Sequence, residues 1–315
     1  MSIVYLIIPC YNEEEVLPET SKRLLEKIGS LIKEGLISSK SRIVFVNDGS
    51  KDKTWEMITQ LSKEHDEISG IKLAHNRGHQ NALLAGLMTV REHCDCAISL
   101  DADLQDDINA IDEFVKKYHE GCDVVYGVRN SREKDSFFKR STALGFYKLM
   151  KVLGVECVYN HADYRLMSKR ALDALSEYKE VNLFLRGIVP LIGFRSDYVY
   201  YYRNERFAGE SKYPFKKMLA FALEGITSFS VKPLRIISTL GVVISMLSVL
   251  GLLYAIISKL FGSTVPGWTA IVASIWLLGG IQLFCLGVCG EYIGKIYSEI
   301  KGRPRFLIET FLNKE

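Results

Sequence analysis

Two aspartates one residue apart, at the end of an apolar run, are the groups in this sequence best placed to do chemistry. They lie in Ser99-Leu100-Asp101-Ala102-Asp103-Leu104-Gln105-Asp106. On an extended chain, side chains at i and i+2 point to the same side, which brings Asp101 and Asp103 together. Like charges so placed repel unless a cation lies between them. Hard carboxylate oxygens suit Mg2+ or Mn2+, ions that also take phosphate oxygens from a substrate. The bare pattern fits a solvated acidic turn as well. Two more polar clusters close apolar runs earlier in the chain, Pro9-Cys10-Tyr11-Asn12-Glu13 and Val46-Asn47-Asp48-Gly49-Ser50.

Alternating elements must carry these clusters. Strand-like runs at Ile3–Ile8, Arg42–Val46, Ile71–Ala74, Ala97–Leu100 and Val124–Tyr126 are separated by helical patterns at Glu14–Glu34, Lys53–His65, His79–Glu92 and Asn109–Tyr118. Strands alternating with helices predict an α/β fold with a parallel sheet covered on both faces. Ligands of such sheets bind outside the carboxyl ends of the strands. All three polar clusters fall on that edge.

Composition narrows the class. A net charge of +3 gives no basis for nucleic-acid binding, and 48% hydrophobic residues confine any membrane part to a local segment. The N-terminal apolar run lacks a basic leader and a cleavage site before its acidic patch, and is expected as a strand. The seven cysteines are scattered, and Cys94-x-Cys96 has no second pair at metal-ligand spacing. Buried, reduced thiols are expected, in keeping with a cytosolic catalytic part.

After Arg235 the chain changes character. Ile236–Ser258 and Trp268–Gly290 are uncharged stretches of 23 residues each. As helices they reach about 35 Å, enough for a hydrocarbon core of ~30 Å. Lys232 and Arg235 precede the first stretch, and Lys295, Lys301, Arg303 and Arg305 follow the second, while the linker carries Lys259 alone. The bias of basic residues places both ends in the cytoplasm and the protein in the inner membrane as a multi-pass chain. Gln282 in the second stretch suits a neighbouring helix or another subunit, so a homo-oligomer is compatible with the pattern. Phe137–Leu153 and Tyr213–Phe229 mix bulky apolar with basic residues and are expected as helices on an anionic membrane surface. The expected division is 1–212 catalytic, with an interfacial helix at 137–153; 213–234 juxtamembrane; 235–293 two spans, 236–258 and 268–290; and 294–315 a cytoplasmic basic tail.

Taken together, Pro-Cys-Tyr-Asn-Glu, Asn-Asp-Gly-Ser and Asp-Ala-Asp-Leu-Gln, in this order, resemble the family-2 glycosyltransferases. Asn76-Arg77-Gly78-His79-Gln80-Asn81, Asp163-Tyr164-Arg165-Leu166-Met167, Arg206-Phe207-Ala208-Gly209-Glu210-Ser211-Lys212-Tyr213 and Gly290-Glu291-Tyr292-Ile293-Gly294-Lys295-Ile296-Tyr297 are similar to the polyprenyl-phosphate branch. That branch includes dolichol-phosphate mannose synthase and bacterial enzymes acting on undecaprenyl phosphate. The resemblance implies a GT-A-type, Rossmann-like nucleotide-sugar domain followed by two C-terminal transmembrane helices. By resemblance, Pro9, Tyr11, Glu13 and Asp48 line the nucleoside pocket. Asp101, Asp103 and Gln105 form the metal and diphosphate site, with the Ala102 backbone near the nucleotide. Arg206 grips the donor diphosphate with help from Lys212. In place of the proline common after the Leu-Gln-Asp segment, this chain has Asp107-Ile108, which puts the start of the next helix in question.

The implied reaction transfers a hexose from a nucleotide diphosphate-sugar, UDP-glucose or UDP-N-acetylglucosamine, to undecaprenyl phosphate. A divalent ion at Asp101 and Asp103, with Arg206, would stabilise charge on the departing diphosphate. The acceptor phosphate, with a second pKa near ~6, is largely an oxyanion already. Its difficulty is repulsion by the donor, which Arg129, Arg140 and Arg165 are candidates to screen. Asp163 matches a position proposed as catalytic base in relatives, or else it orients Arg165 or the phosphate. A single displacement would invert the anomeric centre. His79 is expected in a structural or sugar-contacting role. Three alternatives stand beside this reading. A GDP-mannose-dependent synthase shares the pattern. A processive polysaccharide synthase should carry Gln-x-x-Arg-Trp, a string not found here. A non-catalytic membrane scaffold binding nucleotide-sugar would need a broken metal site, whereas Asp101, Asp103 and Gln105 are all present.

Overall fold

A computed structural model of the chain describes residues 1–130, 161–202, 230–260 and 267–313. The chain divides into two compact units, one built on a sheet and one holding two long helices.

The sheet unit starts with β1 (Val4–Cys10), buried along its whole length. Such a strand needs cover on both faces, and period-2 alternation divides its side chains between them. Leu6 and Ile8 join the cluster under α1 (Leu17–Lys33), whose Leu17, Leu24, Ile28 and Leu31 form one helical stripe. Each such buried side chain contributes about 1.5–3 kcal/mol. Ile7 faces α3 (His79–Val90) on the other side, where Gly86 lets the helix backbone sit close. A Cβ at Gly86 would run into Ile7 Cγ2 and Val46 Cγ2.

The strand order is β7-β5-β6-β4-β1-β2-β3-β8. β1, β2 (Arg42–Asn47), β3 (Ile68–Leu73) and β4 (Cys96–Ser99) are parallel, as the alternating pattern implies. Helices α2 (Thr54–Glu64) and α4 (Ala110–His119) also lie where the sequence places them, within a few residues. The wholly parallel expectation is corrected on both sides. β6 (His161–Ser168) runs antiparallel to β4 and to β5 (Val124–Arg129), while β7 (Ser196–Tyr201) extends parallel to β5. At the other edge β8 (Ile308–Leu312) runs antiparallel to β3. β6, β7 and β8 lie outside the alternating strand–helix pattern read from the sequence, and an apolar run carries no direction in any case.

α5 (Lys169–Ser176) follows β6 directly, with Ser168 Oγ accepting from Ala171 N as a side-chain cap. α6 (Leu185–Leu191) precedes β7. In the second unit α7 (Lys232–Leu260) and α8 (Trp268–Lys301) contain the two uncharged stretches. Tyr292 Oη on α8 donates to the Ser230 carbonyl at 2.6 Å, just before α7. Among the described residues one segment, Leu277–Lys301, is long and apolar enough to cross a membrane. The range 294–315, expected as a basic tail, holds the end of α8 and a further strand. α8 runs to Lys301, stops at Gly302 in the left-handed region, and β8 then joins the sheet. The expected interfacial helices at 137–153 and 213–229 lie outside the described residues.

Candidate active site

The loops after β1 and β2 are laced together at the carboxyl edge of the sheet. Ser50 Oγ accepts from Asn12 N, Asn12 Oδ1 from Lys51 N, Thr54 Oγ1 from Glu13 N, and Asp52 Oδ2 from Glu14 N. Asn12 holds φ at 54°, a conformation asparagine tolerates better than most residues. Pro9 is buried at the end of β1, Tyr11 is exposed, and Glu13 is half-buried.

Asp48 is buried, and both its oxygens accept backbone hydrogen bonds, Oδ1 from Arg77 N at 2.7 Å and Oδ2 from Gly78 N at 2.9 Å. Burial raises its pKa and outweighs those two bonds, which pull the other way. Asp48 therefore organises the turn into α3, beyond the base or ribose contact expected of it. Gly49, at φ +65°, allows the same approach, since a Cβ there would stand 2.5 Å from Asn76 N.

After β4 the chain enters the acidic turn. Asp103 is buried and accepts from Gln105 N at 3.2 Å, and Leu104 holds φ at 56°. The Ala102 carbonyl is fixed from below by Thr20 Oγ1 of α1 at 2.8 Å. The pKa of Asp101 is raised above the usual carboxylate range, first by burial and then by Asp106, Asp163 and Asp103, with His79 opposing. Asp107 replaces the expected proline and does its turning work. Its carboxylate accepts from Asn109 N at 2.9 Å and its carbonyl from Tyr164 Oη at 3.0 Å, so α4 starts cleanly at Ala110.

The antiparallel β6 explains how Asp163 reaches this edge. Arg165 pairs with Ser99, the last residue of β4, which places Asp163 beyond the strand end beside Asp101. Ser99 Oγ donates to the Asp163 carbonyl, tying the two together. His79 Nε2 stands 3.5 Å from Asp101 Oδ1 and 3.9 Å from Asp163 Oδ2. Arg165 Nη2 donates to Asp163 Oδ1 at 2.6 Å, and Arg186 donates from Nε to Oδ1 at 3.2 Å and from Nη2 to Oδ2 at 3.0 Å. Burial alone would raise the Asp163 pKa, but Arg186 and Arg165 outweigh it and hold the carboxyl well below its usual range.

Of the arginines proposed for an acceptor phosphate, two have other partners here. The Arg165 side chain is 2% exposed and spends Nη1 on the Leu185 carbonyl, so it supports Asp163 from within the protein. Arg129 meets Asp106 at 3.1 Å and Tyr201 Oη at 3.2 Å, while Tyr201 donates to Asp106 at 2.6 Å. Arg140, Arg206 and Lys212 lie outside the described residues. The sequence reading gave no role to Thr20, Gln80 or Arg186. Gln80 stood inside the Asn76–Asn81 string, and Arg186 left a signal as the sole charge in the apolar run Leu183–Phe194. Cys10, Cys94, Cys96 and Cys122 are free and buried, as expected.

Residues 5–176 match the model of glycosyl transferase family 2. The chain belongs to that family. As a glycosyltransferase it also carries, at residues 232–296, a match to the GtrB C-terminal hairpin. It is 56% identical to the uncharacterized glycosyltransferase YkoT of Bacillus subtilis, over 99% of this chain and 93% of that protein. It is 40% identical to the bactoprenol glucosyl transferase of Shigella phage SfX, over 98% of this chain and 99% of the relative. The prophage bactoprenol glucosyl transferase homolog of Escherichia coli K12 is 39% identical, over 97% and 98%. Glucosyl-3-phosphoglycerate synthase of Mycobacterium tuberculosis, solved with phosphoglyceric acid, aligns with TM-score 0.48 and 16% identity, over 72% of this chain and 79% of that one.

Proposed function

We propose that this glycosyltransferase moves glucose from UDP-glucose to undecaprenyl phosphate at the cytoplasmic membrane face, with inversion at the anomeric carbon. One observation carries the reading. Asp48, Asp101, His79 and Asp163 gather at one sheet edge in a chain whose similarity to bactoprenol glucosyl transferases runs nearly end to end, helical hairpin included.

The acidic turn suits a divalent cation. Among the described residues no three His, Cys, Asp or Glu side chains converge as a closed metal cage. The Asp103 charge adds to the raised pKa of Asp101, a repulsion that a cation held by Asp101 and Asp103, with Gln105, would relieve. Mg2+ or Mn2+ bound there would supply charge neutralisation for the departing diphosphate. Pro9, Tyr11, Glu13 and Asp48 suit the nucleoside side of the donor. The acceptor is an oxyanion near neutral pH and needs no base. Asp163, held ionised by two guanidiniums, is a poor proton acceptor in that range and serves to orient Arg186 and His79.

Connectivity supports a two-span reading of the membrane part. β8 belongs to the same sheet as β1–β7, so a chain that leaves the sheet unit before α7 re-enters it after α8. A hairpin with both ends on one domain crosses a membrane an even number of times. That supports two spans, 236–258 and 268–290, with both termini cytoplasmic.

The test is transfer of radiolabelled sugar to undecaprenyl phosphate in detergent with Mn2+ or Mg2+, across a panel of nucleotide-sugars. A chloroform-soluble product from UDP-glucose, abolished by chelator and by Asp103→Ala, is expected. No lipid product, or product from GDP-mannose alone, would overturn the assignment, and retained configuration would overturn inversion.

A further inference from the structure

Asp163 is gripped by two arginines that differ in one respect. The Arg165 side chain is 2% exposed, whereas that of Arg186 is 32% exposed. Of the pair, Arg186 is the one a solute can reach. Its Nε and Nη2 form a two-point fork on the Asp163 carboxylate, at 3.2 and 3.0 Å. A guanidinium is planar and rigid, so this fork fixes its orientation and turns the Nη1 side away from Asp163. The backbone beneath is fixed too. Leu185 N donates to Gln80 Oε1 at 2.9 Å, binding the start of α6 to the helix that begins with His79. His79 then bridges from Asp163 to Asp101, the first aspartate of the acidic turn. The result is a pre-oriented, part-exposed guanidinium with two side chains, Asp163 and His79, between it and Asp101.

We infer that Arg186 contacts a phosphate of the substrates, with Asp163 and Gln80 as its positioning residues. Guanidinium is the side chain best matched to phosphate oxygens, through charge-assisted bonds with fixed geometry. This assignment rests on the transfer reaction proposed above, in which two phosphate groups meet at this edge, the donor diphosphate and the acceptor monophosphate. Arg186 serves one of them.

Direct binding to the full-length chain in detergent decides between them without requiring turnover. Dissociation constants for UDP with Mn2+ and for farnesyl phosphate are measured for the wild type, Arg186→Gln and Arg186→Lys. A tenfold or greater weakening of farnesyl phosphate by Arg186→Gln, with UDP unchanged, places Arg186 on the acceptor. The reverse pattern places it on the donor. In either case Arg186→Lys, which keeps the charge but not the fork, should recover part of the loss. If neither ligand weakens while both variants melt as the wild type does, the assignment is overturned. If Arg186→Gln fails to fold, Arg186→Lys decides alone: both constants within twofold of wild type sink the proposal. Lack of turnover by the wild type would instead count against the proposed reaction, leaving these binding results to stand.

Discussion

Asp163 and Arg165, two residues apart on β6, point to the same side of the strand and meet at 2.6 Å. Arg186 closes on the same carboxylate from α6. A carboxylate flanked in this way is built to stay charged, which separates an orienting role from a basic one.

Replacing Asp163 with Asn should therefore lower kcat by tenfold or more without altering the shape of the pH–rate profile between about pH 6 and 9, since no proton leaves or joins Asp163 there. Loss of an acidic limb in the variant would show a general base instead. Stability gives a second reading. Because the folded-state pKa is depressed, the stabilisation is fully present above the unfolded carboxylate value near ~4 and disappears as pH falls through the folded value. The gap in thermal midpoint between wild type and Asp163→Asn should be widest near neutrality and shrink on acidification below about pH 4.

Thr20 supports the acidic turn from beneath. Its hydroxyl, fully buried in α1, lies 2.8 Å from the Ala102 carbonyl and 3.1 Å from that of Val16. Thr20→Val keeps the shape and strips Ala102 of its partner, at a cost of about 1–3 kcal/mol for a buried unsatisfied group. Urea unfolding should register that loss. The Mn2+ concentration for half-maximal activity should rise several-fold, because Asp101 and Asp103 flank the freed carbonyl. An unchanged metal requirement would show that the turn holds its geometry without Thr20.

The sequence made the edge legible and left much of its wiring hidden. The ends of β1, β2 and β4 could be read because apolar runs stop at polar clusters, and a parallel sheet collects such ends on one side. Asp163 could be tied to the site only through the family resemblance, since its position depends on β6 running antiparallel, which no local pattern encodes. Arg165 and Arg129 show the limit from the other side. Their charge suggested a phosphate, while burial against Asp163 and pairing with Asp106 are tertiary facts that no local pattern carries. β8 escaped notice because Ile308–Leu312 is short and follows a basic stretch, and its partner β3 lies more than two hundred residues away.

Gly49 and Gly78 offer a matched comparison, since both hold positive φ, at +65° and +84°. Alanine at either position incurs backbone strain. At Gly49 the new Cβ would also stand 2.9 Å from the His75 carbonyl carbon and 2.5 Å from Asn76 N, whereas at Gly78 nothing lies within 4 Å. Gly49→Ala should thus be the more destabilising, by more than about 1 kcal/mol relative to wild type. It should also weaken UDP binding, because it pushes the Asn76–Gly78 turn off the Asp48 carboxylate. Equal effects of the two substitutions on denaturant midpoints would show that the backbone yields at Gly49.

β8 bears on how the hairpin and the sheet unit depend on each other. It covers the edge of β3 through antiparallel pairing from Gly70–Leu312 to Leu73–Ile308, with Lys72 and Glu309 paired at 2.9 Å. Arg305, just upstream, donates to the Tyr178 carbonyl at 2.7 Å. Ending the chain after Gly302 leaves α8 whole but opens the β3 edge, and an uncovered strand edge invites pairing with other chains. The truncated protein should still partition into membranes, yet aggregate on detergent extraction and lose activity. Glu309→Ala, by contrast, removes one exposed ion pair and should shift stability by less than about 1 kcal/mol. Size-exclusion profiles of the two proteins beside the wild type make the comparison. A monodisperse, active truncation would mean that β3 needs no cover and that β8 serves only to bring the chain back to the sheet.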